Sequence, residues 1–188
     1  MNQSEDTKNN NNLPSQESLI KFDKSLLSRA KANDFDAVSL MFRQFIEENE
    51  TIEFAEYLGL RGLWGIGNHS FACITNKRIA SIQTGSFGEV LYQDGWLEEL
   101  NSNVIYQPSI FLLYLLAVLV AIPTLGLGLI LFPIIVKAFY GFKKCGFVTS
   151  VREGVPVYIF SDRKRISRVN HLLRTLSCCR EKRKALLR

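Results

Sequence analysis

From Ser18 onward the apolar positions Leu19, Ile20, Phe22, Leu26, Leu27 and Ala30 recur at three- and four-residue spacing, the period of one helix face. Asn33 and Asp34 break the run and supply capping side chains. A second stripe follows, Phe35, Val38, Met41, Phe42, Phe45 and Ile46, and then the acidic residues Glu47, Glu48 and Glu50. The pattern predicts an amphipathic helical hairpin over residues 16–57 that packs on its neighbour in the chain. Residues 1–15, with their asparagine run and little apolar content, read as a disordered tail.

From Leu58 the period shortens. Glycine-punctuated apolar residues lead into Ser70–Thr75, a turn at Asn76-Lys77, and Arg78–Gln83. Gly85 and Gly88 mark a further turn before Glu89–Gln93, and Asp94-Gly95 is a hairpin signal ahead of a stretch from Leu97 to Tyr106. This is an antiparallel meander over 58–108. It resumes after an apolar block, in 143–177, with Phe147–Val151 and Val155–Phe160 around a turn at Glu153-Gly154. Ser161-Asp162 then caps a helix with Ile166, Val169, Leu172, Leu173 and Leu176 on one stripe. The block therefore interrupts the sheet instead of ending it.

Ile110 to Val136 is 27 residues without a charge, beyond the roughly 18 that flag a membrane segment. As one helix it would contain Pro123, Gly126, Gly128 and Pro133 and run to about 40 Å. The central Pro123–Gly128 is turn material, which predicts a membrane hairpin over 109–142 with arms near Ser109–Ile122 and Leu129–Phe142. Tyr106 and Tyr140 then suit the interfacial belt, and Lys137 must snorkel. A hairpin also returns both halves of the sheet to one side, where a single span would leave two exposed edges.

Charge sharpens the picture. Residues 1–108 hold 9 Lys/Arg against 15 Asp/Glu, and residues 137–188 hold 14 against 3. The basic flank should face the cytoplasm, and no cleavable signal peptide is visible at the N-terminus. The expected localisation is integral to the cell membrane, with the remaining parts on the cytoplasmic side. Cys73, Cys145, Cys178 and Cys179 show no C-x-x-C spacing, and His69 and His171 lie far apart, so neither a disulfide scaffold nor a metal site is expected. No cofactor is expected either. The glycines between Gly59 and Gly67 lack the Lys-Ser/Thr of a P-loop, Gly85–Gly88 lacks the nucleophile-elbow spacing, and adjacent Glu98 and Glu99 would face opposite ways on a strand. An enzyme is not expected.

Three segments carry a family likeness. Cys73–Ala80 is a strand ending in Thr75-Asn76-Lys77-Arg78 before the next strand. Glu89–Leu100 forms the following strand, and Glu153–Phe160 with a helix through Leu176 closes the series. In that order they resemble the bacterial pleckstrin-homology-like (PH-like) domains, over about residues 58–106 and 145–177. The departure is that the family's domain is normally continuous. The resemblance implies a bent, partly open barrel of about seven strands, plugged by the helix and serving lipid or protein contacts without chemistry of its own. The expected fold class is thus an α+β membrane protein: helical hairpin, PH-like antiparallel β-barrel with C-terminal helix, and an apolar membrane hairpin inserted in the sheet.

Candidate contacts with anionic lipid follow from this reading: Lys77 and Arg78 at the early turn, and Arg180, Lys182, Arg183, Lys184 and Arg188 in a basic tail over 178–188. Nucleic acid is not expected, because no aromatic residues interleave with the tail. The expected function is a non-catalytic, membrane-anchored adaptor that recruits a protein partner, forms an oligomer or contacts the lipid bilayer. The competing expectation is a small subunit of a membrane transport or insertion complex, acting through its hairpin.

Overall fold

The computed structural model describes residues 20–63, 66–107, 109, 111–122, 132–136, 138–139, 145–152 and 154–186. The Asn-rich tail 1–15, the Pro123–Gly128 turn, Lys137, Tyr140, Glu153 and Arg188 lie outside the described residues.

Helices α1 (Lys24–Lys31) and α2 (Phe35–Arg43) meet at a turn that their own polar residues build. Asn33 adopts a left-handed φ of 68°, which asparagine tolerates better than most residues. The Asp34 carboxylate caps α2 by accepting from the Asp36 and Ala37 amides at 3.0 and 3.3 Å. Arg29 grips the same carboxylate at 2.6 Å. The helical unit is shorter than 16–57, since β1 (Ile52–Leu63) begins inside it.

Strands β1, β2 (Ile66–Thr75), β3 (Arg78–Gly85) and β4 (Val90–Trp96) form one antiparallel sheet in that order. β5 (Leu100–Tyr106), β6 (Gly146–Val151) and β7 (Val157–Phe160) form a second. β5 pairs with β6 from Leu100↔Val151 to Tyr106↔Gly146, so one ladder joins the chain on either side of the apolar block. A 3₁₀ turn, Arg163–Arg165, leads into the last helix, Ile166–Leu186.

The first sheet is covered on both faces, which is why every residue from Ser70 to Thr75 and from Arg78 to Thr84 is buried. Its inner face (Phe54, Leu58, Ala72, Ile74, Ile79) packs on Phe147, Val157 and Ile159 and on Val169, Leu172 and Leu176 of the last helix. Its outer face (Ala55, Phe71, Cys73, Ala80, Ile82) packs on Ala30, Val38, Met41 and Phe42 of the helical hairpin. Burying side chains such as Phe42 or Ile74 stabilises the fold by about 1.5–3 kcal/mol each.

The barrel expected from the sequence is not formed: the two sheets are not closed into one. Neither sheet's ladder continues into the other among the described residues. Side-chain amides bridge the gap. Gln93 Oε1 accepts from the Tyr158 amide at 3.2 Å, and Gln83 Nε2 donates to the Tyr158 carbonyl at 3.5 Å. Asp94-Gly95 is no hairpin turn but the end of β4, and the chain reverses over residues 97–99. The glycine is needed for close approach, because a Cβ there would sit 2.8 Å from Val151 Cγ2 of the second sheet.

The membrane expectations fail as well. Within the apolar block α3 covers only Phe111–Ala121, about 16 Å at 1.5 Å per residue, against a hydrocarbon core of about 30 Å. It ends two residues before Pro123, where a proline disfavours helical backbone in the residue before it. A second helical stretch spans residues 132–136. Among the described residues no helix is long and apolar enough to cross a membrane. An integral membrane localisation is therefore not supported.

Candidate functional site

The turn between β2 and β3 places the two basic residues singled out in the sequence, and both meet carboxylates. The Thr75 hydroxyl folds the turn by accepting from the Lys77 and Arg78 amides at 3.1 and 2.9 Å. That hydroxyl donates to Glu50 Oε2 at 2.7 Å. Glu50 is buried in the loop between α2 and β1, and its other oxygen accepts from Arg78 Nη2 at 2.7 Å. Arg78 also reaches Asp94 of β4 at 2.9 Å and lies 4.2 Å over the Trp96 ring. Lys77 Nζ contacts Glu47 at 2.6 Å and Asn49 at 2.9 Å.

Burial works against the Arg78 charge, but the hydrogen bonds it donates to Asp94 and Glu50 outweigh burial and raise its pKa. The hydrogen bond from Lys77 lowers the pKa of Glu47. Lys77 and Arg78 thus face three carboxylates, and Arg43 joins the cluster by donating to the Glu50 carbonyl at 3.0 Å. An anionic headgroup would have to displace these carboxylates to reach either cation, so Lys77 and Arg78 act as a clamp joining the α2–β1 loop to two strands. The partners Glu47, Glu50 and Asp94 escaped the sequence reading; the acidic run after the second helix was the available signal.

The basic tail is helical through Leu186. Arg180 donates to the Leu100 carbonyl, and Arg183 Nε lies 2.7 Å from Glu98 Oε1, so both tie the helix to the β4–β5 connection. Lys182 and Lys184 are exposed. The structure therefore separates the seven candidate lipid contacts: Lys77 and Arg78 lie in the clamp, Arg180 and Arg183 dock the helix, Lys182 and Lys184 face solvent, and Arg188 lies outside the described residues.

A second polar node pins the last helix to β1. Arg165 and Arg168 donate to the Tyr57 carbonyl at 3.2 and 3.1 Å. The Tyr57 hydroxyl meets His69 Nδ1 at 2.8 Å. Burial, helped by the Lys31 charge, pushes the His69 pKa down to about 4. Among the described residues no group of three or more His, Cys, Asp or Glu is arranged to hold a metal ion.

Part of the surface that the described residues leave uncovered is apolar. From Asn101 to Tyr106 β5 is exposed, Val104, Ile105 and Tyr106 included. The chain then enters α3, where Phe111, Tyr114, Leu115, Val118 and Leu119 are exposed, as is Ile122 beyond its end. The Tyr114 ring packs 5.5 Å from that of Phe132, so the two helical stretches of the block touch. No charged residue occurs between Glu99 and Lys137. Exposed apolar patches mark contact sites for proteins or membranes.

No known family model, characterised protein or solved structure matches the chain.

Proposed function

We propose that the protein is a non-catalytic recruitment module of the PH-like kind, whose working surface is the uncharged apolar face of α3. The observation that carries this reading is that face, where Phe111, Tyr114, Leu115, Val118, Leu119 and Ile122 stand open to solvent in a stretch without a charge. The PH-like part of the reading rests on the Thr75–Arg78 turn between two early strands, on four strands followed by three, and on a closing helix that packs across their core.

The partner is a protein. Fully exposed, such a face would favour nonspecific association, whereas a complementary apolar surface would bury it at about 25 cal/mol per Å². A photo-crosslinking residue substituted for Leu119, in the full chain expressed at native level, tests this. The expected result is a discrete protein adduct from position 119 and none from an equivalent probe at Ser177, on the exposed side of the last helix. Absence of any protein adduct at position 119 would overturn the proposal.

A further inference from the structure

We infer that the partner on this face is a second copy of the same chain, joined through α3. The inference rests on the recruitment reading above and names its occupant. Phe111, Leu115, Val118 and Ile122 follow one another at intervals of four, three and four, the spacing of a helix–helix seam. Ile122 continues the helix geometrically, since its amide still bonds the Val118 carbonyl at 3.2 Å. All four side chains are more than half exposed, Phe111 at 73% and Ile122 at 74%.

Composition selects the occupant. Interfaces with other proteins are usually specified by complementary charge at their rim, and this stretch supplies none from residue 100 to residue 136. Charge-poor, strongly apolar interfaces are typical of homodimers. A two-fold interface must also be complementary to itself, which an uncharged apolar seam satisfies without any opposing charge pattern. The area suffices too. The exposed large side chains of α3, with Ile122, offer on the order of 700 Å², within the roughly 600–1,000 Å² that each partner of a stable complex buries. The contact between Tyr114 and Phe132 brings the second helical stretch against α3 in each copy.

Sedimentation equilibrium of the full chain tests this, with Val118→Glu and Leu115→Gln as seam variants and Ser177→Glu as control. The expected particle is two chains of 21.4 kDa each, unchanged by the control and dissociated at least hundredfold more readily by Val118→Glu. Position 118 is exposed, so circular dichroism and melting should match the parent, and Leu115→Gln repeats the measurement without adding a charge. A monomer at all concentrations up to about 100 μM, or a dimer indifferent to both seam variants, would overturn the inference. If the position-119 adduct contains only a different protein, the second copy is excluded while the recruitment reading stands. If the monomer instead floats with phosphatidylcholine vesicles and yields no protein adduct, both are overturned.

Discussion

At the scale of single residues the fold is held by polar groups whose partners lie far away in sequence. Glu50 has no exposure and depends on Thr75 and Arg78, 25 and 28 positions on. Breaking a buried pair from one side leaves an uncompensated charge, which costs about 3–5 kcal/mol. Arg78→Met should therefore lower urea-unfolding stability by that order, and adding Glu50→Gln should restore part of it. If the single and double variants are equally unstable, Glu50 is not the partner that matters. His69 supplies a pH test. Its folded pKa, about 4, lies below the ordinary 6.5, so as pH falls through 6.5 the unfolded chain takes up a proton that the folded one refuses. Stability should fall between pH 6.5 and about 4, and His69→Gln should flatten that part of the curve relative to the parent. The thiols differ as well. Burial pushes the Cys73 pKa up, whereas Cys178 is exposed. A thiol reagent should label Cys178 in the native protein and reach Cys73 only on unfolding.

Elements show where the sequence could be read and where it could not. Both N-terminal helices, the Asn76-Lys77 turn and the helix after Ser161 follow from local period and capping chemistry, and each is present. β1 begins earlier than expected because Glu53 and Glu56, continuing the acidic run after α2, disguise the strand alternation of Ile52 to Tyr57. Asp94-Gly95 has turn composition, yet its glycine answers to Val151, a residue of the other sheet. The apolar block misled for a related reason. Hydropathy counts apolar positions and says nothing of where the helix stops or what covers it. The clamp shares this limit, since a basic pair looks free until the fold brings carboxylates to it. The amide bridge between the sheets can be probed directly. Gln93→Ala should cost about 1 kcal/mol and speed hydrogen exchange at the Tyr158 amide above other β7 amides. Unchanged exchange there would mean that the bridge does not close the gap in solution.

For the molecule as a whole, the pairing of Tyr106 with Gly146 means that the ends of the apolar block lie on neighbouring strands. Replacing residues 109–142 by about eight Gly/Ser residues, a tether able to join adjacent strand ends, should keep one cooperative melt. It should also remove the dimer, because the seam goes with the block. A molten or aggregated product would show that α3 and its neighbouring stretch support the two sheets.

The same pairing has a consequence for synthesis. As the chain leaves the ribosome, α1 to β4 emerge as one run of near-neighbour contacts, able to assemble the helical layer and the first sheet early. The inner face of that sheet, with Phe54, Leu58, Ile74 and Ile79, has to wait. Its cover, β6, β7 and the last helix, is encoded beyond the 39 further residues from 107 to 145. For the time taken to translate that stretch, roughly 2–8 s at 5–20 residues per second, the nascent protein leaves the inner face of its first sheet without this cover. The interval during which it most needs shielding from its neighbours is thus set by the length of the insertion.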